Sequence, residues 1–73
     1  MTYRGIKTGC YAADGRAVRE DDRVRVIVQG HIITGTVTFS GEVFYVHNDV
    51  RGDFSPDLLL ADRIEIIRRD NNE

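Results

Sequence analysis

Residues 23–39 read RVRVIVQGHIITGTVTF, and this stretch decides the fold. Val24, Val26 and Val28 fall on one side of an extended chain, Arg23 and Arg25 on the other. Successive side chains of a strand point to opposite faces, so this alternation marks a half-buried β-strand. Gln29–His31 then reads as a turn. Gly35, Val37 and Phe39 share the next inward face, while Thr34, Thr36 and Thr38, β-branched and suited to the solvent side of a sheet, share the other. A glycine inside such a strand marks a bulge or a close approach of backbone.

Working outward, Ser40–Glu42 is a tight turn, and Val43–His47 is a third strand with Phe44 and Val46 on one face and Val43, Tyr45 and His47 on the other. Asn48–Asp53 connects it to a short fourth strand that begins at Phe54 and is ended by Pro56, which has no N–H to donate. A helical turn over residues 56–61 follows, with Ser55 as N-cap, Pro56 at the first position and Asp57 at the positive end of the dipole. Residues 63–67 make the last strand, with Ile64 and Ile66 inward. On the N-terminal side, Asp14-Gly15 is a strong tight-turn pair, so Tyr11–Val18 reads as a hairpin or hooked loop. No window keeps the apolar spacing of a continuous helix. The expectation is an all-β domain, a small five-stranded antiparallel barrel at 21–69. Residues 1–20 form an extension or hairpin packing on it, and residues 70–73 a frayed tail.

The order of strands, with a proline-initiated turn in FSPDLLLADRIEII before the last one, resembles the SH3-like small barrels, including the KOW and Tudor-like groups. The likeness covers roughly residues 20–68 and implies a fold rather than an activity. VRVIVQGHIITGTV, with Gly30 and Gly35, is similar to the glycine-centred stretch through which KOW-type domains meet RNA or polymerase-associated partners. It lacks one glycine of that pattern and the lysine-rich loops. A narrower likeness lies in DGRAVREDDRVRV, which resembles the opening of small phage-encoded proteins of the YopX type, DG-[RK]-x-[VI]-x-x-GD-x-V. Asp14, Gly15, Arg16, Val18, Asp22 and Val24 match it, and Asp21 stands where the pattern has glycine. This likeness implies a phage or prophage origin and brings no catalytic residues.

Composition narrows the function. The chain has 73 residues, 10 Lys and Arg against 12 Asp and Glu, and a formal net charge of −2, which weighs against binding nucleic acid by bulk charge. A domain this size buries only roughly 60% of its unfolded surface, so compactness or a partner must supply its stability. Cys10 is the only cysteine, so no internal disulfide is possible. No segment has signal-peptide character, and the longest apolar run, Leu58–Ala61, is far too short to span a bilayer, so the reading is a cytoplasmic protein with no membrane partner.

No residue set carries catalysis. Cys10, His31 and His47 are the only thiol and imidazoles, and they lie in separate segments without a supporting motif. Gly30 and Gly35 lack the Lys-Ser/Thr of a phosphate-binding loop. The R-plasmid dihydrofolate reductases place an enzyme on an SH3-like barrel, but GDFSPDL does not resemble their pore segment VQIYP. His47, Asp49 and Asp53 could hold a metal weakly, yet acids are also the ordinary turn residues. The expectation is a non-enzyme with no cofactor and no metal.

The surface is the better candidate, because small barrels bind through loops and outward aromatics. Tyr45, His47, Asp49, Arg51 and Phe54 are the expected partner-binding residues of a protein-interaction or accessory module, whose partner is a protein or a second copy of the chain. The alternative is a nucleic-acid-binding small barrel using Arg16, Arg19, Arg23 and Arg25. Arg51-Gly52-Asp53 spells the adhesion tripeptide, but nothing signals export, and the surrounding NDVRGD has the chemistry of a strand connection.

Overall fold

The computed structural model describes residues 4–69; the tail expected at 70–73 lies outside the described residues. The domain is all-β, with one short helical turn before the last strand. Among the described residues there are six strands: β1 (Lys7–Tyr11), β2 (Ala17–Arg19), β3 (Asp22–Val28), β4 (His31–Ser40), β5 (Val43–Asn48) and β6 (Arg63–Arg69). They form two antiparallel sheets, a β1–β2 hairpin and a four-stranded sheet in the order β5-β4-β3-β6. Among the described residues no ladder joins the outer strands β5 and β6.

The valines place β3 at the centre of the sheet. Val24 and Val26 are fully buried, and they sit between Gly35 and Ile33 of β4 on one side and Ile66 and Ile64 of β6 on the other. The same inward face continues through Val37 and Val46, which face each other across β4 and β5. Leu58 closes the core from the helical turn. The N-terminal hairpin belongs to this core, because Ala12 and Val18 are buried within it. Backbone bonds fix it there: Ala13 N–H donates to Ile64 O at 2.8 Å, and Asp21 N–H, just past β2, donates to Val37 O at 2.8 Å.

Three connections differ from the sequence expectation. The β3–β4 turn is two residues rather than three: Val28 pairs with His31, and Gln29 (φ 50°) and Gly30 (φ 82°) both take positive φ. That is the type I′ geometry whose twist matches the flanking strands. The fourth strand starting at Phe54 is not formed. Phe54 is exposed, and Ser55–Asp57 instead runs along β5 with a single bridge, Tyr45 to Asp57, and a Val46 N–H to Pro56 O bond of 2.9 Å. The helical turn is a 3-10 turn at Leu58–Leu60, capped by Asp57 rather than Ser55, with Asp57 Oδ1 accepting from Leu59 N–H at 2.9 Å. Ser55 cannot cap it, because its hydroxyl accepts from Asn48 N–H at 3.1 Å. Pro56 is buried, and Asp57 after it is not yet helical (φ −59°, ψ 136°), so the helical turn starts only at Leu58.

Candidate docking groove at the 49–54 loop

Gly35 is where this site is anchored. The registers on both sides of it are continuous, so it marks a close approach of backbone and not a bulge. A methyl group there would overlap the His47 carbonyl. β5 therefore lies tight against β4 up to Asn48, and the loop leaves the sheet from a defined point.

Asn48 then closes the loop on itself. It is buried, its Oδ1 accepts from Val50 N–H at 2.8 Å, and its Nδ2 donates to Phe54 O at 2.8 Å. A buried amide with both ends bonded holds the two arms of the loop at one spacing. Asp49 ties the loop to the sheet: its N–H donates to Thr34 O at 3.0 Å, and its carboxylate takes two bonds from the Arg23 guanidinium, at 2.8 and 2.6 Å. The guanidinium bonds hold the Asp49 carboxyl below its ordinary pKa. Val50–Asp53 is a four-residue turn, with Asp53 N–H to Val50 O at 3.1 Å and Gly52 at φ 82°. Arg51-Gly52-Asp53 is thus the exposed tip of this turn, and Asp53 Oδ1 folds back to accept Phe54 N–H at 2.8 Å.

Between this loop and the β3–β4 turn lies a groove. Ile32, Val50 and Phe54 line it, and they are 69%, 61% and 57% exposed. Buried Ile33 and Val28 form its apolar base; His31, Asp49 and Asp53 supply polar edges.

The expected partner-binding residues are thereby divided. Phe54 and Asp49 line the groove. His47 and Arg51 border a second depression at the same loop, which has Asn48, Asp49, Val50 and Asp53 in common with the groove. Tyr45 lines neither; it is half-buried on the outer sheet face, where its ring meets His47 edge-on at 6.4 Å. The partner-binding residues expected from the sequence include neither Val50 nor Ile32. Ile32 could have been assigned from alternation alone once the turn was placed at Gln29-Gly30, because Ile33 then continues the inward face of Gly35 and Val37.

The arginines of the alternative reading are mostly occupied. Arg23 bonds Asp49 and Thr36, Arg25 bonds Glu65 at 2.8 Å, and Arg16 bonds Asp14 at 2.7 Å. Asp14 is held below its ordinary pKa first by the Arg16 N–H and then by the Arg16 guanidinium; Glu65 is held low by Arg25 and then by Arg63. Arg19 is half-buried, and its backbone N–H donates to the buried Asp22 carboxylate at 2.9 Å. Cys10 packs half-buried against the core, apart from His31 on β4 and His47 on β5. Among the described residues no three His, Cys, Asp or Glu side chains converge as metal ligands, and no helix is long and apolar enough to cross a membrane.

Comparison with protein-family models, with curated proteins and with solved structures found no match.

Proposed function

We propose that this domain is a non-enzymatic protein-interaction module of the SH3-like small-barrel kind, and that its partner docks in the groove between the β3–β4 turn and the 49–54 loop. One observation carries the reading. Ile32 on β4, and Val50 and Phe54 on a loop held by Asn48 and Arg23, are exposed around a single groove. Single exposed apolar residues are normal on any surface, but three around one concavity, two of them on a braced loop, are the usual makings of a binding site. Bracing matters because a preformed loop loses little conformational entropy when it binds. The likeness of the Asp14–Val24 stretch to phage proteins makes a phage or prophage gene the proposed source, which the neighbouring genes would test.

The experiment is a selection of peptides from a displayed random library on the purified chain. Enriched peptides should bind the parent and lose about tenfold or more in affinity to Phe54→Ser and Val50→Ser, while both variants melt within a few degrees of the parent. Peptides that bind all three proteins equally would remove the groove from the proposal. Retention of a single-stranded RNA at low salt, lost in Arg25→Glu, would point to the nucleic-acid reading instead.

A further inference from the structure

We infer that the groove receives a second copy of this chain, through the Arg4–Lys7 segment of its neighbour. The inference rests on the groove being a docking site and names what docks there. The groove is apolar with acid beside it. Asp53 lines it, and Asp62 stands behind its wall, accepting Gln29 N–H at 3.2 Å. Both are exposed, and among the described residues neither is in an ion pair. Asp49 is paired with Arg23, and Arg51 does not line the groove.

The same chain carries the complement. Ile6, 50% exposed, stands between Arg4 and Lys7, both exposed and, among the described residues, outside any ion pair. An apolar side chain flanked by two cations suits an apolar groove with one carboxylate, Asp53, on its lining and a second, Asp62, bonded to its lining residue Gln29.

A molecule cannot join its own two halves. Ile6 O accepts Glu20 N–H at 2.8 Å, beside the start of β3, whereas the groove begins at Val28, where β3 ends. A strand of that length separates them by roughly 20 Å. The contact is therefore between molecules and head-to-tail, so an open assembly keeps one free groove at one end and one free segment at the other, and it either grows as a filament or closes as a ring. The patch is small and its charges are exposed. Association should be weak, concentration-dependent and weakened by salt.

Sedimentation velocity of the full chain tests this, run from micromolar to millimolar protein at low and high salt. The average mass should rise with concentration and fall with salt. Asp53→Lys/Asp62→Lys should weaken association about tenfold, and so should Arg4→Glu/Lys7→Glu. An equimolar mixture of the two variants should regain it, because each then offers the charge the other lost. If Asp62→Lys unfolds the domain by circular dichroism, the single Asp53→Lys on the exposed loop takes its place in both arms. A chain that stays monomeric at millimolar concentration, variants that associate like the parent, or a mixture that stays apart would each overturn the inference. A monomer that still binds selected peptides through Phe54 would remove self-association and leave the groove as a docking site.

Discussion

Gly35 and Asp21 are two residues whose side chains, or lack of one, follow from backbone geometry. Gly35 lies mid-strand, where propensity alone would favour alanine by about 0.5–1 kcal/mol. The His47 carbonyl occupies the space a methyl group would need, and Val46 Cγ1 lies 3.0 Å from it. Overpacking outweighs propensity, so Gly35→Ala should destabilise the domain by about 3 kcal/mol in a urea titration. A stabilised variant would mean that β4 and β5 separate more easily than their ladder suggests. Asp21 has φ 75°, at the place where the phage-type pattern has glycine. Aspartate tolerates the left-handed region better than most side chains, and here its Oδ2 also accepts Arg4 N–H at 2.8 Å. The sequence showed a departure from a pattern; the backbone shows that the departure keeps the geometry. Asp21→Gly should stay within about 1 kcal/mol of the parent, whereas Asp21→Val should lose about 1–2 kcal/mol. Equal melting of the two variants would count against a left-handed Asp21.

At the scale of elements, the hairpins were legible and the 49–57 connection was not. β3 and β4 announce themselves because strand periodicity is two and their inward residues are valine and isoleucine. Phe54 resembled the start of another strand because an aromatic followed a glycine-containing turn. Its conformation depends instead on Asn48 and Ser55, whose bonds to the loop become visible only when the arms are side by side. The Arg23–Asp49 pair is also a product of register: Arg23 pairs with Thr36, and Thr36 with His47, which brings a residue two positions past His47 within reach of the guanidinium. This pair gives the loop a pH dependence. The folded Asp49 pKa is lowered, so its stabilising contribution is complete above the ordinary carboxylate pKa and is lost as pH falls through the lowered value. Heteronuclear NOE values for residues 49–54 should therefore drop on acidification before those of β3 and β4 do. Asp49→Asn should give a loop that is already looser at neutral pH. An NOE profile that falls uniformly along the chain would show that the pair does not hold the loop.

On the scale of the whole molecule, the N-terminal hairpin is the informative part. Residues 1–20 look less patterned than the rest, and a reader of the sequence would place them outside a barrel or against it. Val18 is fully buried beside Val24, Val26 and Val37, and Glu20 and Asp22 are buried next to it. A four-stranded sheet this small cannot cover its own inward face, so the hairpin is its second layer. Val18→Ala should then cost about 2 kcal/mol, as much as Val26→Ala in the central strand. A loss under about 0.5 kcal/mol at Val18, measured in the same denaturant series, would make the hairpin an appendage.

The amino-acid sequence by itself determined the strand class, the central hairpins and most inward residues, because period-two alternation and turn glycines act over a few residues; Phe39, expected inward with Gly35 and Val37, is instead exposed near the end of β4, against Phe44. It also located the helical turn to within two positions. What only the tertiary structure decided involves groups far apart in the chain: the burial of Val18, the bridging of Asp49 by Arg23, and the gathering of Ile32, Val50 and Phe54 around one groove. Each of these depends on which strands lie side by side and in what register. That is set by the packing of the whole core, which no local pattern encodes.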